Sequence, residues 1–223
     1  MKENHQGQNR DTITKQLFGN TATTALFTTA VVLLVCILYM VFTYSNVPID
    51  QQVFDTIEPH ITKSRTVFME IISFLGNHVF LVPANLLLLL YFLIKRNKYY
   101  ALKVAIIALS SVSVMSLLKR SFHRPRPAQP LVDGITNFSF PSGHAFMSVA
   151  FYGLLIWLTY EIISNKTLRR FIIFLLVLLI LAIGFSRIYL RVHYTTDVIA
   201  GFCFGTIWLI ISLWLAKKIQ QRQ

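Results

Sequence analysis

Residues 22–44 read ATTALFTTAVVLLVCILYMVFTY, a run of 23 positions without one charged side chain. A helix rises ~1.5 Å per residue, so this run reaches about 35 Å and can cross a ~30 Å hydrocarbon core. It is longer than the apolar region of a cleaved leader, and no small-residue cleavage site follows it, so it is expected to stay in place as a membrane span. Working outward, five more apolar runs lie at about 79–94, 99–118, 144–160, 171–186 and 198–216, each followed by charged residues. The expected fold class is all-α, an integral membrane bundle of six transmembrane helices.

Between the first two runs, residues 45–70 carry Asp50, Asp55, Glu58, Lys63, Arg65 and Glu70 and are too polar to span. They are expected to form an outer loop holding a short surface helix. Residues 1–20 are expected to be a cytoplasmic tail, and residues 21–218 a single six-span domain. Lys103, near one end of the third run, is expected to carry its ammonium to the interface on its aliphatic stem.

Composition agrees with a membrane chain. Hydrophobic residues make up 55% of the 223 and charged ones only 13%, about half of the ~25% usual in soluble domains. The net charge of +12 does not mark a nucleic-acid partner, because the Lys and Arg fall in short clusters between apolar runs rather than on one solvated stripe. The expected partners are the bilayer and a membrane lipid. Cys36 and Cys203 each sit inside an apolar run and are read as packing residues.

Counting Lys and Arg near span ends gives the orientation. With both termini inside, the inner segments hold 12 and the outer segments 8. Six of those eight fall in two outer loops, 119–143 and 187–197, which therefore need another reason to be cationic. The chain is expected to be multi-pass in the plasma membrane, with its site on the outer side.

Those loops contain Lys119, Arg126-Pro127, then Pro141-Ser142-Gly143-His144, then Ser186-Arg187, His193 and Asp197. All emerge on one side of six spans. Around a phosphate, Lys119, Arg126 and Arg187 would supply three cations, and an Arg fork matches two phosphate oxygens. Ser142 and Gly143 precede a helix, where unpaired N–H groups and the helix dipole favour an anion. His193 and Asp197 are four apart, so the carboxylate can fix one ring nitrogen and leave the other to attack. His144 would protonate the leaving oxygen and later take a proton from water. Arg124-Pro125 is a weaker alternative to Arg126-Pro127. His123, Arg120, Arg191, Tyr194, His60 and His78 are read as structural or headgroup-facing.

The ordered set Lys-x6-Arg-Pro, Pro-Ser-Gly-His and Ser-Arg-x5-His-x3-Asp resembles the three-part signature of the type 2 phosphatidic acid phosphatase superfamily, with all eleven specified positions present. The resemblance implies catalysis by His193, His144 and Asp197 through a phosphohistidine. It implies phosphate binding by Lys119, Arg126, Ser142, Gly143 and Arg187, and no metal or cofactor. The substrate classes it allows include phosphatidate, phosphatidylglycerophosphate and undecaprenyl diphosphate. Two rivals stand beside hydrolysis: a lipid-to-lipid phosphotransferase, and a transporter or binding protein that only holds an anionic lipid.

Overall fold

The structure, a computed structural model, describes residues 21–44, 46–134 and 137–220; the expected tail at 1–20 lies outside them. Among the described residues the chain forms α1 (Thr21–Thr43), α2 (Pro48–Ile57), α3 (Lys63–Phe74), α4 (His78–Ile94), α5 (Lys98–Ser121), α6 (Gly143–Ile162), α7 (Lys166–Tyr189) and α8 (Thr195–Gln220), with a short 3₁₀ turn at Glu58–His60. Six stretches are long and apolar enough to cross a membrane, and all six match the expected runs.

Three differences have physical causes. The spanning helices overrun the apolar windows because polar ends continue the helix. Thus α6 has 20 residues and α7 has 24, about 30 and 36 Å long, each enough to cross the hydrocarbon core. The segment between the first two spans holds two helices instead of one, since α3 runs on toward α4 with a break only at Leu75, Gly76 and Asn77. Lys103 does not reach for the interface. It is buried, with its ammonium 3.8 Å from the Tyr99 ring centre and 5.3 Å from that of Trp157, so aromatic faces take the place of water around the charge.

Helix ends are set by side-chain caps. Asn77, Asn97, Ser142 and Asn165 each accept from a first-turn N–H of the helix that follows, satisfying donors with no partner inside the helix. The centre of the bundle is α6: 61% of its apolar window is buried in protein, against 17% for α1. It packs on α7 and α8, α1 flanks α8, and α5 pairs with α4. The large exposed apolar side chains of α1, α4 and α7, such as Val35, Leu87 and Phe174, face where lipid would be.

Close packing of α6 on α8 depends on glycine. A Cβ at Gly201 would lie 2.6 Å from the Ser142 carbonyl oxygen, and one at Gly205 would lie 2.9 Å from that of Phe146. The pair, four apart on one face, lets the two backbones approach in the manner of small-residue packing in membranes. This contact sits one turn from the candidate site.

Candidate active site

Four helix ends bring the sequence-predicted residues to one end of the bundle. Lys119 is in the last turn of α5, Gly143 and His144 open α6, Arg187 is in the last turn of α7 and Asp197 in the first turn of α8. His193 lies in the turn joining α7 to α8, and Arg126 in the segment after α5. Lys119, Arg126, Gly143, His144, Arg187 and His193 line a single cavity of about 520 Å³. Ser142 and Asp197 do not line it; both are fully buried behind its wall. The Ser142 hydroxyl accepts from Ala145 N–H at 3.5 Å, and its backbone N–H donates to the Asp197 carbonyl at 2.9 Å.

The state of His193 can be deduced from its neighbours. Its Nε2 is 3.3 Å from Nη1 of Arg126, and arginine only donates, so Nε2 is the acceptor and the ring proton rests on Nδ1. That nitrogen is 3.6 Å from Oδ2 of Asp197 and 3.4 Å from Oγ of Ser139. Ser139 donates its own proton to Asp197 Oδ2, which leaves its oxygen free to accept from Nδ1. Burial pushes the imidazole pKa down to about 3, outweighing the hydrogen bond and charge of Asp197. The ring is therefore neutral near pH 7, with a lone pair on the cavity side.

Asp197 serves the helix as well as the ring. Its Oδ2 accepts at 2.9 Å from the N–H of Tyr194, the residue before α8, the reciprocal contact of a capping box. Its Oδ1 accepts at 2.6 Å from Arg124. Arg124, the weaker Arg-Pro candidate, thus turns away from the cavity and pairs with Asp50 as well, at 2.8 Å.

The cations are held in different ways. Arg126 donates to the carbonyls of Val192, Asn137 and Phe138 and to the Asn137 side chain. Lys119 donates to the carbonyls of Phe138 and Ser139, at 2.5 and 3.3 Å. Arg187 donates through Nη1 to Ser73 of α3, but its buried Nε has no partner among the described residues. His144 Nε2 is likewise buried and unpartnered. Such a group costs ~1–3 kcal/mol, and both belong to residues that line the cavity. Gly76 seats the His144 ring from the other side: a Cβ there would lie 3.3 Å from its Cδ2.

Several residues of this site were not read from the sequence. His78, Glu70 and Asp133 line the cavity, whereas His78 was expected to have no functional neighbour. Ser73, Asn137 and Ser139 hold its charged groups, and Asp50 and Thr196 support Asp197 from behind. Ser139, three residues before Ser142, is the one a closer look at the motif's flank could have found.

Fold and cavity together define a multi-pass membrane protein with a cationic, histidine-bearing pocket at one end of its bundle. Residues 99–221 match the PAP2 superfamily, and the chain belongs to that superfamily. It is similar to phosphatidylglycerophosphatase B of Bacillus subtilis (strain 168), 26% identical over 152 residues that cover 67% of this chain and 74% of the relative. It is also similar to an undecaprenyl-diphosphatase of Sulfolobus acidocaldarius, 28% identical over 188 residues, 79% of this chain and 85% of the relative. Among solved structures, a transmembrane PAP2-type phosphatidylglycerolphosphate phosphatase from Bacillus subtilis superposes with a TM-score of 0.73 at 21% identity, covering 90% of this chain and 98% of that one. Aquifex aeolicus LpxE gives 0.55 at 31% identity, covering 74% and 94%. The chain is a membrane lipid phosphatase of the PAP2 type.

Proposed function

We propose that the chain hydrolyses a phosphate monoester or diphosphate of a membrane lipid, of the phosphatidylglycerophosphate, phosphatidate or undecaprenyl diphosphate class, at the outer face of the membrane. The observation that carries this reading is the shared cavity, which joins a neutral His193 with its lone pair inward, an unpartnered His144 nitrogen and three cations.

The steps balance as follows. Nε2 of His193 attacks phosphorus, the bond from phosphorus to the lipid-side oxygen breaks, and protonated His144 gives its proton to that oxygen. The ring of the phosphohistidine keeps its Nδ1 proton and becomes cationic, which Asp197 and Ser139 stabilise. His144, now neutral, takes a proton from water as the water oxygen attacks phosphorus, and the P–N bond returns its electrons to His193. Lys119, Arg126, Arg187 and the N–H groups opening α6 at Gly143 and His144 hold the phosphoryl oxygens. Ser142 acts on this anion indirectly, by capping α6.

Metal is not part of the proposed chemistry. Among the described residues no group of three His, Cys, Asp or Glu side chains converges as a ligand set, and in the proposal the three cations are the charge-neutralising groups. The site's orientation follows the proposal that both termini are cytoplasmic.

The test is phosphate release by purified protein over a panel of phospholipid and isoprenyl phosphates, with His193→Ala as control. Turnover by wild type, its loss in His193→Ala and an acid-labile phosphoenzyme in the wild type are expected. Release by His193→Ala at wild-type rate would overturn the assignment. Binding without release by the wild type would favour a carrier instead.

A further inference from the structure

One buried charged cluster is left unused by the proposed chemistry. Asp50 lies on α2, the amphipathic helix of the first outer loop, and is 3% exposed. With Phe54 and Ile57 it occupies the i, i+4 and i+7 positions of one face, and Phe54 packs on Ala145, Ile188 and Val198 of the bundle. The Asp50 carboxylate is fully engaged. Oδ1 accepts from Thr196 N–H at 2.9 Å, and Oδ2 accepts at 2.8 Å from both the Thr196 hydroxyl and Nη2 of Arg124. Arg124 then donates through Nη1 to Thr196 Oγ1 at 2.8 Å and Asp197 Oδ1 at 2.6 Å. Its guanidinium lies 4.1 Å from the Tyr194 ring centre.

Each bond restricts the next. Planar Arg124 bridges two carboxylates, which a lysine point charge cannot do with fixed geometry. Thr196 is adjacent to Asp197, so Asp50 grips both the backbone and the side chain of the first turn of α8. The remaining oxygen of Asp197 faces His193 and Ser139. A rotation of the Asp197 carboxylate that moved the oxygen facing the imidazole would also break its contact with Arg124.

Resting on the nucleophile assignment above, we infer that Asp50 and Arg124 are positioning residues: α2 completes the active site by fixing, through Arg124 and Thr196, the carboxylate that orients His193. The loop helix is thereby part of the catalytic apparatus, although neither residue touches the cavity.

Asp50→Asn is a direct perturbation. Its amide can still accept from Thr196 N–H, but the –NH₂ group meets two donors, the Thr196 hydroxyl and Arg124. The experiment measures kcat, KM and single-turnover phosphoenzyme formation with phosphatidate in mixed micelles, on full-length protein shown to be folded by monodisperse elution. Misplacement near 1 Å can cost ~10²-fold in rate. Expected losses in kcat are about tenfold for Asp50→Asn and about 100-fold for Arg124→Ala, with KM within threefold and Arg124→Lys between wild type and alanine. The double variant should be no slower than Arg124→Ala, because the two act in one chain. If Arg124→Ala does not fold, Thr196→Val takes its place, with a loss near that of Asp50→Asn. Folded variants with kcat within threefold of wild type, or with KM alone raised, would overturn the inference. Turnover by His193→Ala would instead remove the nucleophile assignment beneath it.

Discussion

Gly201→Ala tests whether the distance between α6 and α8 sets catalysis. The added Cβ would come within 2.6 Å of the Ser142 carbonyl oxygen and 2.9 Å of Ala145 Cβ, where ordinary contact begins at 3.4 Å, so α8 must retreat by about 0.8 Å or tilt. Both groups it strikes are backbone or Cβ atoms and cannot rotate away. Overpacking of this kind costs ~1–3 kcal/mol, while replacing a helical glycine with alanine returns ~1 kcal/mol. The net stability change is thus small, about 0–2 kcal/mol. Activity should suffer more, because Asp197 and His193 ride on α8 and its preceding turn while His144 and Gly143 ride on α6. A shift near 1 Å between these halves can cost ~10²-fold, so a fall in kcat of about 30- to 100-fold is expected. Gly153→Ala is the control. Its Cβ would clash only with the end of the Leu209 side chain, at 2.5 Å, which can turn aside, and it lies about 15 Å along α6 from Gly143. Phosphate release and thermal unfolding of both variants in one detergent decide the matter. Wild-type kcat in Gly201→Ala, or an equal loss in Gly153→Ala, would refute the reasoning.

Ser139→Ala removes the hydroxyl between Asp197 and His193; a bond to a charged group is worth ~1.5–3 kcal/mol, so kcat should drop at least tenfold with KM little changed, read by steady-state kinetics. Because burial lowers the His193 pKa from its ordinary value near 6.5 to about 3, the unfolded chain takes up this proton first; the group's stabilising contribution is full above pH 6.5 and is lost as pH falls toward 3. Thermal unfolding from pH 7 to 4 should show a shallower decline in His193→Gln than in wild type, and equal slopes would count against a neutral buried ring. Phosphate release should persist in excess EDTA, whereas loss reversed by a divalent ion would show that a metal takes part.

The fold was legible because hydropathy is a summed quantity: twenty apolar residues in line override any error at a single position. Helix ends were less legible, since Lys98, Lys166 and Arg187 extend helices past the point where composition turns polar. The α3 helix was missed for the same reason, as Lys63, Arg65 and Glu70 hide a helix whose other face reaches the site through Ser73. His193, His144 and the cations stood out because ionisable side chains at span ends are few and their spacings are fixed. Ser139, Thr196 and Asp50 did not. Their importance comes from where the chain folds back, with 146 residues separating Asp50 from Thr196, and no local pattern records that.

Arg126 meets three carbonyls and an amide before any substrate arrives. A phosphoryl group bound by Arg126, as proposed above, displaces existing partners rather than filling open valences, and the free energy gained is only the difference between the two sets. A lipid offsets that exchange by bringing the rest of its body, whereas released orthophosphate has nothing else to offer. Weak inhibition by inorganic phosphate is the expected signature, and tight inhibition would show that these carbonyls yield more easily than their geometry implies.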